Sequence, residues 1–241
     1  MCERYVTPTQ RAIEDFWHVS PLDARIWMPS FNATPTTQVP MLRLDDQAGL
    51  EVVAARWGLV PEWWSQENPP LMTFSARSED AWIKPFWHDS IRSYRCLMPA
   101  TGWFAWSEHE QTRFRGCQWV KQPYYLHAAE RNLLAMAGLW ASWIGPRGYA
   151  VLSCAVLTKE SSAPISHIHP RMPIILEPEQ WQLWLSSTAT VEQVNCAIAH
   201  SREVFDSYPV PTAVDNTNND YPELIVPLRR SEVLEPPISQ S

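Results

Sequence analysis

The sequence predicts an α+β fold in one domain, with a large mixed or antiparallel β-sheet or a barrel-like core and helices at its periphery. The chain has 241 residues, of which 45% are apolar, so it can bury one sizeable core. Short apolar runs broken by proline fill the middle of the chain, as is typical of strands. Helical spacing of apolar residues is found mainly near the two ends. We expect the domain to span residues 1–228 and residues 229–241 to form a flexible polar tail.

The predicted strands share short runs of β-branched, aromatic or other apolar residues between turn-forming residues. They are 39–44, 50–57, 95–106, 124–127, 134–143, 149–157 and 171–176. The segment Ala128–Asn132 lies between two of them and is expected to be a hairpin connection. The chain contains 22 prolines and only 7 glycines, which predicts stiff rather than flexible connections.

Three segments favour helices. Thr9–Trp17 is the first. Glu177–Leu185 has Pro178 in its first turn and acidic residues at the positive end of the helix dipole. Thr190–His200 has apolar residues at helical spacing. Helices near the ends and strands between them indicate the α+β class.

The charge balance at first disfavours a nucleic-acid partner, because the formal net charge is −7. Two features oppose this inference. Of the 19 basic residues 16 are arginines, whose planar forks suit phosphates, and the chain has 14 tryptophans. The acidity is also uneven, since residues 1–131 carry a net charge of −2 and the remainder carries −5. The composition therefore allows DNA binding but predicts that it is weak and sensitive to salt.

The sequence predicts a cytoplasmic protein with no membrane partner. The N-terminus has no apolar signal region, and the apolar stretch Leu133–Ile144 is too short and mixed to cross a bilayer. The five cysteines form no Cys-x-x-Cys pair, which argues against a zinc site or a disulfide framework. We expect no metal and no cofactor.

Cys2 is a candidate nucleophile if Met1 is removed. An N-terminal cysteine carries an amine and a thiol on adjacent carbons, and the α-amine has a pKa near 8. The amine can attack an aldehyde, and the thiol can then close a thiazolidine ring. The same residue could instead cleave an amide as an N-terminal nucleophile. A cysteine at this position by chance is the third interpretation.

Two further motifs are candidates for chemistry or binding. His167 and His169 alternate, so in a strand they face one way, which suits a metal pair, a general acid/base or a structural loop histidine. Trp63 and Trp64 are adjacent and cannot both point inward from an extended chain. An exposed tryptophan would offer a stacking surface for a base.

An ordered series of motifs runs through nearly the whole chain, from Met1 to about Leu228. The motifs are MCER, FNATPTTQVPML, ARWGLVPEWW, FSARSE, RCLMPATGWFAW, IHPRMPIIL and DNTNNDYPELIVPL. Together they resemble the SRAP family (SOS-response-associated peptidase domain). This resemblance implies a sensor of abasic sites in single-stranded DNA, in which the cysteine after the initiator methionine forms a thiazolidine with the ring-opened sugar.

The resemblance also implies roles for individual residues. Cys2 matches the nucleophile and His169 the histidine that assists sugar opening. Arg4 and Arg77 match phosphate-binding arginines. The remaining implied DNA contacts are the stacking pair Trp63 and Trp64 and the positions Asn32, Pro35 and Thr158.

The chain departs from the family pattern at three positions. Ser75 replaces an asparagine that orients the α-amine, and Ala105 replaces a glutamate that transfers protons. Glu3 replaces the glycine after the cysteine, next to where phosphate should approach. Glu3 and Glu79 are candidate surrogates for the lost acid/base. Glu79 would share a face with Ser75 if that segment stays extended.

The predicted function is that of a divergent SRAP protein that binds single-stranded DNA with abasic sites and cross-links it slowly through Cys2. Two alternatives remain open. One is a thiol peptidase, or autopeptidase, that uses Cys2 and His169. The other is a non-catalytic module that binds single-stranded DNA or a protein. A monomer is expected in each case.

Overall fold

A five-stranded barrel forms the body of the molecule, in a computed structural model that describes residues 3–20, 26–66, 73–114, 118–130 and 132–229. Cys2 and the tail beyond Arg229 lie outside these described residues. The strands in chain order are β1 (Tyr5–Val6), β2 (Gln38–Leu44), β3 (Leu50–Trp57), β4 (Ser75–Arg77), β5 (Arg95–Ala100), β6 (Gly102–Phe114), β7 (Gln118–His127), β8 (Leu134–Ile144), β9 (Ala150–Glu160), β10 (Arg171–Pro173), β11 (Ile175–Leu176) and β12 (Asp206–Pro209). The predicted fold class, with its barrel-like core, is confirmed.

The barrel closes because strand β9 pairs on both sides of the ring. The order is β9–β3–β2–β5–β8, and β8 returns to pair with β9. The sheet is mixed, since β3 and β4 run parallel to β9 while β2–β3, β2–β5, β5–β8 and β8–β9 are antiparallel. Strands β4, β10 and β11 extend this sheet beyond the ring. A closed ring leaves few exposed strand edges.

A second, antiparallel sheet has the order β1–β6–β7–β12 and lies against the barrel. The two sheets share one apolar cluster, to which Met41 and Met98 contribute from the barrel and Trp103 and Leu126 from the second sheet. A separate cluster joins the barrel to the helices and includes the fully buried Trp184. The second sheet matters for function because it carries the N-terminal end of the chain at its β1 edge.

Two strand predictions and the hairpin prediction need correction, each because the chain changes its partner strand. Residues 95–106 form two strands in different sheets, separated at Thr101. Gly102 permits the crossing, since a Cβ there would lie 2.4 Å from the carbonyl oxygen of Leu126. Residues 171–176 are likewise split at Ile174, where pairing changes from β9 to β8. The hairpin expected at 128–132 is wrong, because β7 and β8 belong to different sheets; Arg131 lies outside the described residues.

The helices are α1 (Gln10–Trp17), α2 (Ser78–Ala81), α3 (Pro85–Ser93), α4 (Pro178–Leu185) and α5 (Val191–Ala199). The three expected helices are confirmed, and each begins after the residue that caps it. The side chains of Thr9 and Thr190 accept bonds from the backbone amides of Ala12 and Gln193. Helices α2 and α3 were not expected from the sequence. Within the described part of the chain, no helix is both long and apolar enough to cross a membrane.

Candidate active site

A polar cavity of about 360 Å³ opens at the β1 edge of the second sheet. It is lined by Glu3, Arg4, Trp106, Lys121, His169 and Asp215. These residues come from the N-terminal segment, β6, β7, the loop before β10 and the 3-10 helix Thr212–Asp215. The cavity thus collects two carboxylates, three basic side chains and an indole from distant parts of the sequence.

Strand pairing sets the position of the N-terminal residues. Tyr5 lies opposite Trp103 in the antiparallel β1–β6 pair, and the Phe104 amide donates to the Arg4 carbonyl at 3.0 Å. The same register carried one residue further places Glu3 level with Ala105. At position 105, where the resemblance implies a glutamate, β6 carries an alanine, and the nearest residue across the register is a different carboxylate, Glu3.

Ala105 is almost completely buried and does not line the cavity. On β7 its partner is Tyr124, whose hydroxyl donates to Glu110 Oε2 at 2.5 Å. Burial is the main cause that raises the pKa of Tyr124 well above its usual range, and the bond to Glu110 raises it further. This tyrosine therefore stays protonated at neutral pH and is committed to Glu110.

Arg4 is half-buried and only partly engaged. Its Nη1 donates to the Val214 carbonyl at 2.8 Å and to Asn32 Oδ1 at 3.4 Å. Its guanidinium carbon lies 6.0 Å from the Trp106 ring centroid. Burial lowers the pKa of Arg4, while the charges of Glu3 and Asp215 raise it. The cation is thus held at the cavity wall, where it can meet an anion.

Asn32 fixes the segment that carries Asp215. Its buried Nδ2 donates to the carbonyls of Val214, Asn216 and Asn219 at 3.2, 3.2 and 2.9 Å. At 3% exposure, Asn32 supports the site from beneath its surface. Asn32 thereby ties the end of the 3-10 helix and the turn that follows it to the N-terminal part of the chain.

Asp215 is bonded to the indole that follows Ala105. Trp106 Nε1 donates to Asp215 Oδ1 at 2.6 Å. Asp215 is an exposed residue, yet partial burial of its carboxyl raises its pKa, and the Trp106 bond and the Arg4 charge only partly offset this. Sequence reasoning missed Asp215, although it opens the quoted motif DNTNND, because nothing in one sequence links it to residue 4 or 106.

His169 reaches the cavity from the loop before β10. The Glu108 amide donates to the Ile168 carbonyl at 3.1 Å, which ties this loop to β6. The His169 Nδ1 lies 3.0 Å from the Arg171 amide nitrogen and 3.1 Å from the Arg171 carbonyl oxygen, and these contacts hold the ring in place. Burial lowers the pKa of His169, which favours its neutral form. His167 does not line the cavity.

A second polar cluster lies where β4, β9 and β10 meet. Arg171 forms a two-point ion pair with Glu79, at 2.7 and 3.0 Å, and donates to the Thr158 carbonyl at 2.8 Å. Thr158 is 2% exposed, and its hydroxyl donates to the Ala76 carbonyl at 3.1 Å. The Arg171 bond is the main cause that lowers the pKa of Glu79.

The condition under which Glu79 would share a face with Ser75, an extended segment from 75 to 79, is not met. Strand β4 ends at Arg77 and helix α2 begins at Ser78, so Glu79 lies in a helical turn. Ser75 is nearly buried in β4 opposite Val156, while Arg77 is exposed at the end of the strand. Neither Ser75 nor Glu79 lines the cavity that contains Glu3.

The paired tryptophans lie together on another part of the surface. Trp63 is 53% exposed, and its ring lies 5.8 Å from that of Trp64 and 6.1 Å from that of Phe86. The Trp64 carbonyl accepts a bond from Trp143 Nε1 at 2.6 Å, which fixes the pair to β8. Pro35 is half-buried in a turn.

Lys121 was also missed by sequence reasoning, since it lies on a strand with no motif around it. Among the described residues, no group of three or more histidines, cysteines, aspartates or glutamates could hold a metal ion. Cys2, the residue expected to react, directly precedes Glu3 in the sequence.

Comparison with protein families gives a match over residues 1–217 to the family described as SOS response associated peptidase (SRAP). The chain is 28% identical over 199 residues to the abasic site processing protein YoqW of Bacillus subtilis, covering 82% of this chain and 85% of that one. It is 29% identical over 249 residues to the abasic site processing protein HMCES of Xenopus tropicalis, covering 91% and 72%.

Among solved structures, a protein from Bacteroides thetaiotaomicron superposes with a TM-score of 0.78 at 21% identity, covering 95% of this chain and all of that one. This likeness concerns the fold.

Proposed function

We propose that this chain, which belongs to the SRAP family, is a DNA-damage-response protein that binds single-stranded DNA and cross-links abasic sites through Cys2. The cavity that begins at Glu3 carries this proposal, because it gathers a cation, a neutral histidine and carboxylates beside the residue that follows Cys2. The names of the YoqW and HMCES relatives support abasic DNA as the substrate. We infer a monomeric cytoplasmic protein that needs no cofactor.

The reaction joins an aminothiol to an aldehyde. The α-amine of Cys2 attacks C1 of the ring-opened sugar and forms a C–N bond. Loss of water leaves an iminium, and the thiol then attacks the same carbon and releases its proton. The product is a thiazolidine, and removal of Met1 is required because the amine must be free.

Several residues suit the DNA side of this reaction. Arg4 at the cavity wall and the exposed Arg77 can contact phosphates, and the exposed Trp63 ring beside Trp64 offers a stacking surface. His169, whose lowered pKa favours the neutral ring, lines the cavity and can act as the acid/base that assists opening of the sugar ring. Asn32 and Thr158 are buried, so we assign them a supporting role beneath the DNA path.

The constellation is incomplete where the family has a proton-transfer residue. Ala105 cannot move a proton, and a positioned acid/base typically supplies about 10²–10⁴-fold in rate. Ser75 is shorter than asparagine and, being nearly buried, is poorly suited to orient the amine. Of the two surrogates expected from the sequence, Glu3 lines the cavity, whereas Glu79 is held by Arg171. We therefore infer slow cross-linking and still slower reversal.

The test is to incubate the purified protein with a single-stranded oligonucleotide that contains one abasic site and to run a denaturing gel. Intact mass measured beforehand establishes whether the chain begins at Cys2. A slow-growing shifted band that Cys2→Ala abolishes is expected. If a chain that begins at Cys2 gives no shifted band, the cross-linking proposal is wrong.

The same samples discriminate the alternatives. A non-catalytic binder would retain salt-dependent affinity for the oligonucleotide, unaffected by Cys2→Ala, and give no covalent product. An autopeptidase would release Met1 in the wild type but retain it in His169→Ala.

A further inference from the structure

We propose that Asp215 transfers the proton that the residue at position 105 no longer can. This inference rests on the proposed function, because it concerns the same condensation at Cys2. The observation behind it is a second carboxylate in the cavity, fixed in place and joined to the residue next to Ala105.

Fixation distinguishes Asp215 from the other groups in the cavity. Trp106 Nε1 holds Oδ1 at 2.6 Å, and among the described residues no hydrogen-bond partner occupies Oδ2. Val214, one residue earlier, is completely buried, and its carbonyl accepts bonds from Arg4 and Asn32. A carboxyl held in this way needs little reorganisation to reach its reacting partner.

Asp215 approaches the cavity by a different route from the lost glutamate. Ala105 and Trp106 are consecutive on β6, so their side chains point to opposite faces of the sheet. Asp215 is held by Trp106, whereas the family's glutamate would extend from Ala105. The aspartate is therefore an independent acid/base group rather than a positional substitute.

The environment suits a group that both gives and takes a proton. Although Asp215 is an exposed residue, partial burial of its carboxyl raises its pKa, which increases the protonated fraction at a given pH. As an acid it donates to the hydroxyl of the amine–aldehyde adduct, so that the C–O bond breaks and water leaves. As a carboxylate it then accepts the thiol proton while sulfur bonds to the iminium carbon. The acid is regenerated, and the net products are thiazolidine and water.

The experiment compares rate constants for cross-linking to abasic single-stranded DNA between pH 5 and 9, for chains shown by mass to begin at Cys2. Asp215→Asn should slow the reaction about 100-fold at pH 7, and Asp215→Glu should restore part of the rate. The wild-type profile should contain an inflection above the ordinary aspartate range that Asp215→Asn lacks. Glu223→Gln, an exposed acid outside the cavity, should match wild type.

Two controls separate proton transfer from structure and from the proposed function. In the Cys2→Ala background, Asp215→Asn should leave DNA affinity undiminished, since it removes a negative charge. An unchanged rate in Asp215→Asn, or slowing with an unchanged pH profile and a lower melting temperature, would overturn the inference alone. Absence of any wild-type cross-link would instead count against the proposed function. If Glu3→Gln, rather than Asp215→Asn, removes the inflection, the role belongs to Glu3 and the inference fails.

Discussion

Arg95 and Arg4 lie in regions of opposite character. Arg95 is 2% exposed between α3, β5 and α4, and its nitrogens donate to the carbonyls of Trp184, Ile91, Arg92 and Ser186. Arg4 is half-buried at the cavity, and the bonds described for its guanidinium all start from Nη1. Four of the five N–H groups of Arg95 donate to protein carbonyls, whereas the guanidinium of Arg4 lines an open cavity.

The difference shows how one residue type serves either structure or binding. Burial lowers the pKa of Arg95 to about 10, so it remains charged at neutral pH and its charge is satisfied by carbonyl dipoles. Burial also lowers the pKa of Arg4, but there carboxylates in the same cavity oppose the effect. The charge of Arg4 faces the cavity and is available to a substrate, whereas the charge of Arg95 is not.

The largest expected effect is on stability and concerns Arg95. Arg95→Met would leave without hydrogen-bond donors the carbonyls that the guanidinium now bonds. We therefore expect a loss of at least about 3 kcal/mol in unfolding free energy. Urea unfolding measures it, and Arg92→Met, an exposed neighbour, is the matched control. If Arg95→Met were as stable as Arg92→Met, Arg95 would not be structural.

The next largest effect is on the cross-linking rate and concerns position 105. Ala105→Glu restores a carboxyl level with Glu3, and we expect the cross-linking rate to rise about 100-fold, equivalent to about 2.7 kcal/mol of barrier. Addition of Ser75→Asn should raise it further. Ala105→Gln has the same size without the acid and is the control on the denaturing gel. Equal rates for Ala105→Glu and Ala105→Gln would mean that proton transfer does not limit the reaction.

A smaller effect tests the link between support and chemistry. Asn32→Ala removes three bonds to the segment that carries Asp215, so we expect a loss of about 2 kcal/mol in stability together with slower cross-linking. Urea unfolding and the gel assay are read on the same samples. Asn218→Ala, an exposed asparagine of that segment, should change neither. Unchanged cross-linking in Asn32→Ala would separate the segment from the reaction.

The smallest effect concerns the ion pair between Glu79 and Arg171. Glu79→Gln should cost about 0.5–1 kcal/mol at pH 7, because the carboxylate is half exposed. The pKa of Glu79 is lowered in the folded state, so this stabilisation is full above the unfolded pKa of about 4.3 and disappears as pH falls through the folded pKa. Unfolding at pH 7 and at pH 3 should therefore give a smaller difference from wild type at pH 3 than at pH 7. Glu223→Gln should show no difference at either pH.

The local sequence pattern predicted the barrel strands β2, β3, β8 and β9 well, because short apolar runs between turn-forming residues are typical of buried strands. It failed at Thr101, at Ile174 and after His127, where the chain changes partner strand. Such changes are set by packing between sheets, which leaves no periodic mark in the sequence. Glu79 illustrates the same limit, because its ion pair depends on a helix that starts within the motif.

By itself the sequence determined the class of fold and the family motifs, and it predicted departures from the family pattern at positions 75 and 105. These properties depend only on the type and order of the residues, so they can be recognised without the three-dimensional structure. Only the tertiary structure decided that Asn32 is a buried support, that Glu79 is paired, and that Asp215 shares a cavity with Arg4 and His169. Contact between residues more than 200 positions apart depends on how the second sheet, the His169 loop and the 3-10 helix pack together, which no local pattern specifies.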